Sequence, residues 1–138
     1  MGGLSLIIDI LLKDKIELIQ AQYAVARAFN IESSRVKLEL SADSTSSIDD
    51  NIQALCYLYD KGGDYVQLLS IFIRDETLKC NDQKLAQAIS AILNMACLIS
   101  DDDIDPFTMI MVLPDGTFKN VNLNPDDLDE DRYVVVKN

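Results

Sequence analysis

Apolar and polar positions alternate along this chain with two different periods, and the changes of period mark its elements. In residues 4–29, Leu12, Ile16, Ile19, Tyr23 and Ala26 recur at steps of four and three, with Leu11, Leu18 and Val25 beside them. That spacing predicts one long helix with a wide apolar stripe, although Leu4–Leu12 also fits the start of a strand. Arg35–Ser41 alternates strictly, Val36, Leu38 and Leu40 against Arg35, Lys37 and Glu39, the pattern of a half-buried antiparallel strand. The polar stretch Ser41–Asp50 reads as a loop.

Asn51–Asp60 supports two readings. Ile48, Ile52, Leu55, Cys56 and Tyr59 have helical spacing behind a possible Ser47 cap. The same stretch, followed by Lys61-Gly62-Gly63-Asp64 and the β-rich Tyr65–Arg74, has the form of a hairpin, which is the preferred reading. Asn81 or Asp82 can cap a second helix reaching about Ser100, with Leu85, Ile89, Ile92, Leu93, Ala96 and Ile99 on one face. Phe107–Leu113 and Thr117–Leu123 flank Pro114-Asp115-Gly116, where proline presets the turn and glycine supplies a positive φ. Pro125–Asp131 then reads as an acidic loop and Tyr133–Val136 as a last short strand. The expected fold is α+β in one domain over residues 1–138. It has an antiparallel sheet of five or six strands, two main helices on one face, and the order α-β-β-β-α-β-β-β.

Composition places this pattern in an ordinary globular domain, 49% hydrophobic and 25% charged over 138 residues, enough to build a core. Charge changes the picture. The net charge is −11, and residues 101–138 carry ten carboxylates against Lys119, Arg132 and Lys137. Such a surface repels nucleic-acid phosphates and anionic membranes and attracts basic proteins. Three cysteines, Cys56, Cys80 and Cys97, are widely spaced with no C-x-x-C pair, which predicts free thiols and no zinc site. The expected compartment is a reducing cytoplasm: the apolar start is interrupted by Asp9, closed by Lys13 and Asp14, and has no basic residue before it.

Histidine is absent, which removes Ser-His, Cys-His and His-metal mechanisms. The five glycines, at positions 2, 3, 62, 63 and 116, cannot write a Walker or dinucleotide-binding loop. Ser34-Arg35-Val36-Lys37 matches S-x-x-K, but it leads into a strand and has no companion S-D-N or K-T-G. Asp101, Asp103 and Asp105, and again Asp127, Asp129 and Asp131, have the spacing of a calcium loop. The glycine and glutamate positions that complete such a loop hold Pro106 and Val112, and Arg132 and Asn138. No catalytic residue, metal or cofactor is expected, and without tryptophan a sugar-binding pair of carboxylates is not favoured.

Two binding roles remain. One is a cytoplasmic inhibitor of a basic toxin such as a nuclease, resembling bacterial immunity proteins in size and charge. Asp101, Asp102, Asp103, Asp105, Asp126, Asp127, Asp129, Glu130 and Asp131 would form its contact patch. The acidic runs lie on either side of the last hairpin, so that they can converge. The alternative is a homodimeric chaperone: small size, acidity and element order resemble the type III secretion chaperones. That resemblance implies a dimer interface on the second helix at Leu85, Ile89 and Ile92.

Overall fold

The computed structural model describes residues 6–40, 49–101 and 107–136. In it the apolar start of the chain is a strand. Ile7–Leu12 (β1) alternates exposed and buried positions up to Ile10, then buries both Leu11 and Leu12, because there the sheet is covered on both faces. The helix expected over residues 4–29 is shorter: α1 spans Leu18–Phe29. Between the two, the buried Gln67 side chain accepts from the Ile16 N–H at 2.8 Å and donates to the Ile16 carbonyl at 3.2 Å. The turn thereby satisfies its backbone inside the core.

With residues 6–17 outside the helix, its buried face differs from the expected stripe. Ala21, Ala24, Val25 and Ala26 meet the sheet, while Ile19 and Tyr23, expected in the stripe, are exposed. Asn30 ends α1 in the left-handed conformation, φ 58°, with its N–H reaching back to Ala26 and Arg27. The second helix, α2, spans Asp82–Leu93 and begins where expected, the Asn81 side chain accepting from the Gln83 N–H at 2.8 Å. It stops at Asn94, φ 55°, well before Ser100. Cys97–Ser100 is a strand instead, and the Ser90 hydroxyl donates to the Met95 carbonyl at 2.6 Å across the turn that leads into it.

The remaining strands of the main sheet are β2 (Val36–Glu39), β3 (Ala54–Asp60), β5 (Gln67–Ile73), β6 (Cys97–Ser100), β7 (Thr108–Val112) and β8 (Phe118–Asn122). A separate two-residue pair joins β4 (Gly62–Gly63) to β9 (Arg132–Tyr133) in parallel. The fold is α+β: among the described residues, a mostly antiparallel seven-stranded sheet in the order β2-β3-β5-β1-β6-β7-β8 with three α-helices. The hairpin expected over residues 51–74 is β3 against β5, pairing Ala54 with Ile73 through Asp60 with Gln67. The hairpin after Phe107 is β7 against β8, and the Gly116 N–H donates to the Leu113 carbonyl at 2.9 Å in its turn. The strand at Arg35–Ser41 is correct in place and wrong in direction. β2 runs parallel to β3 at the sheet edge, Val36 beside Ala54 and Glu39 beside Tyr57, so the two strands are not joined as a hairpin. Leu40, expected on its buried face, is 67% exposed.

Register divides the side chains between two faces. Ile8, Ile10, Leu12, Cys56, Leu69, Ile71, Cys97, Ile99 and Val112 share one core with α1 and α2. The described residues cover the opposite face over only part of its area. There Leu11, Leu98 and Val121 lie under Tyr65, Leu123, Leu128, Tyr133 and Val135. At the other end of that face, Ile7 and Phe72 are cross-strand neighbours and stand 58% and 43% exposed. No helix among the described residues is long and apolar enough to cross a membrane.

Candidate functional site

Residues 125–131 form a short helix rather than the acidic loop expected. α3 spans Pro125–Asp129 because Pro125 fits the first helical position and the Asn124 side chain caps the next turn, accepting from the N–H groups of Asp126 at 3.0 Å and Asp127 at 3.3 Å. Asp126 and Asp127 also lie in the first turn, where backbone N–H groups favour negative charge. Leu128 turns inward to the second core and anchors the helix on the sheet.

The chain then returns through Asp131, at φ 61°, into β9. The approach of β9 to β4 depends on glycine: a Cβ at Gly63 would stand 2.7 Å from the Tyr133 backbone nitrogen, and its φ is +94°. The Gly62-Gly63 pair, read from sequence as turn residues, is thus a pairing element. Asp64 completes the junction, its N–H donating to the Tyr133 carbonyl at 2.8 Å and its carboxylate accepting from the Val135 N–H at 3.0 Å.

The five members of the expected patch that lie in this lobe are not equivalent. Arg132 binds Asp127 at 2.8 Å and Glu130 at 3.0 Å, and Lys61 binds Asp131 at 3.0 Å. Asp126 and Asp129 are exposed and have no ion pair among the described residues. Five carboxylates against two cations leave this lobe with three negative charges. Exposed pairs of this kind contribute only about 0–1 kcal/mol each, so they shape the lobe more than they hold it together. They also occupy Asp127 and Asp131, two of the three carboxylates with calcium-loop spacing. Among the described residues no group of three or more metal-ligating side chains is gathered.

The first acidic run is placed less fully. Asp101 follows β6 at the sheet end, and Asp102, Asp103 and Asp105 lie outside the described residues. The backbone does bring the flanks of the two runs together, since the Leu123 N–H donates to the Phe107 carbonyl at 2.6 Å. Leu85 and Ile89, expected at a dimer interface, are instead fully packed in the core. Of that trio only Ile92 is part-exposed, in a shallow groove with Ile19, Tyr23 and Leu93.

A second cluster was not anticipated from sequence. On the open end of the sheet, Asp9 pairs across the strands with Ser70, whose hydroxyl donates to its carboxylate at 2.6 Å. Tyr57 lies opposite Ser70 on β3, and its ring stacks on that of Tyr59 at 6.3 Å. Tyr133, on β9 after the acidic lobe, packs on the covered part of the same face. Burial pushes its phenol up from 10.0, and Lys61, Asp131 and Asp9 all act on it. The signal available in the sequence was the odd-numbered positions of β1, which become visible only once that stretch is known to be a strand. The chain matches no protein-family model, no curated protein and no solved structure.

Proposed function

We propose that this chain is a non-catalytic, cytoplasmic protein-binding domain that engages a basic protein partner through its acidic surface, as an immunity protein neutralises a toxin nuclease. The observation that carries this reading is the α3 lobe. A capped helix anchored by Leu128 presents Asp126 and Asp129 outward, with Asp127 and Glu130 fixed in geometry by Arg132. A nuclease cleft is positively charged because it holds phosphates. Carboxylates held on a rigid element mimic those phosphates without the cost of ordering a loop on binding.

The remainder of the chain favours the same class of partner. At a net charge of −11, encounter with a cationic protein is accelerated and encounter with nucleic acid or an anionic membrane is opposed. The test is inhibition. Basic nuclease domains are assayed with and without the purified chain, and an inhibited nuclease is then titrated with the D126K/D129K variant. The reading predicts inhibition by the parent chain and its loss in the variant at unchanged far-UV circular dichroism. Equal inhibition by both chains overturns it.

A further inference from the structure

We infer that the open end of the sheet, around Ile7, Asp9, Tyr57, Tyr59, Ser70 and Phe72, is the docking surface for an arginine-bearing segment of the basic partner. This rests on the proposed function above and locates its energetic centre away from the α3 lobe.

Three features place it there. First, the surface is apolar where apolar surface has a cost. Ile7 and Phe72 are neighbours across β1 and β5, each with a large part of its area in water, beside the stacked tyrosines of β3. The rest of this face is covered by Leu123, Leu128, Tyr133 and Val135, so the chain buries such surface where it can. Second, a carboxylate stands within the apolar field. Asp9 is exposed, has no ion pair among the described residues, and is oriented by the Ser70 hydroxyl at 2.6 Å, which leaves its other oxygen available. Third, the composition matches a guanidinium. Arginine stacks its plane on tyrosine or phenylalanine while its N–H fork binds a carboxylate, and both halves of that contact are present within one pair of cross-strand rows.

Charge also decides among occupants. A second copy docking through the same face by two-fold symmetry would bring Asp9 towards Asp9 between molecules of charge −11. A cationic segment meets the opposite field and reaches the α3 lobe along the same surface, since Leu128 and Tyr133 cover the other part of that face.

The experiment is an NMR titration of the full chain with a synthetic peptide alternating arginine and valine, with an alternating lysine–serine peptide as control, at physiological salt. Amide shifts are expected at Ile7, Asp9, Tyr57, Ser70 and Phe72 with the arginine peptide. F72S and D9N, both at exposed positions, should each weaken binding roughly tenfold, whereas D126N/D129N should weaken it by less than about threefold. Shifts confined to residues 126–131, or equal binding by F72S and D9N, overturn the docking surface while leaving the basic-partner reading intact. Absence of binding by either cationic peptide counts against both. Concentration-dependent broadening at Ile7 and Phe72 without peptide assigns the face to a second copy and overturns the inference.

Discussion

Gln67 is a buried polar side chain that ties two distant segments together, and it does so by closing both hydrogen bonds of the Ile16 backbone. Replacing it by leucine keeps the volume but leaves a buried N–H and C=O without partners. The expected loss is about 1–3 kcal/mol, read as a lower denaturant midpoint at unchanged slope. The cysteines divide by burial. Cys56 and Cys97 are fully buried, and desolvation pushes their thiols from 9.0 up to about 12. Cys80 is half-exposed, its thiol raised first by burial and then by Asp82. In native protein a thiol reagent should therefore modify Cys80 and reach the other two only on unfolding. The sign of the pH effect follows from the raised values: the stabilising contribution of the two neutral thiols is complete below about 9 and is lost as pH rises towards about 12. Alkaline unfolding should be shallower in C56A/C97A, and an unchanged pH profile would contradict this.

Among the elements, the two hairpins and the start of α2 were legible because their signals are local. The Pro114-Asp115-Gly116 turn, the Gly pair after Asp60 and the Asn81 cap act on their immediate neighbours. The β1–α1 boundary was not, because Leu12 and Ile16 happen to stand in helical phase with Ile19 while the chain between them turns and is held by a contact with Gln67, distant in sequence. The same holds at Asn94, where a left-handed residue ends α2 although Ala96 and Ile99 continue its period. The parallel direction of β2 is a matter of its pairing with β3, which no period reports. At the candidate site the carboxylates were legible, but their internal pairing with Arg132 and Lys61 was not, nor was the open sheet face. The β4–β9 pair yields a direct prediction. Gly63→Ala meets both a positive φ and the Tyr133 backbone, and should destabilise the lobe by roughly 1–3 kcal/mol. Hydrogen exchange at Asp64 and Val135 should speed up, while exchange within β3 and β5 stays slow.

The whole molecule separates its charge from its packing. Both long helices cover one face of the sheet and carry only Arg27, Asp82 and Lys84 among them as ionised side chains. The acidic lobe stands on the other face, next to the part of the sheet that the chain leaves uncovered. On the proposed reading, carboxylates steer the partner and the apolar strands retain it, two effects that respond differently to salt. Steering is screened over a Debye length of about 8 Å at physiological ionic strength, whereas contact over Ile7 and Phe72 is not. The most direct test is the association rate for a basic nuclease domain that the chain inhibits, measured by stopped flow from low to high salt. The account predicts a rate that falls at least tenfold over that range in the parent chain, and a much flatter dependence in D126K/D129K. An association rate indifferent to both salt and charge reversal would contradict it.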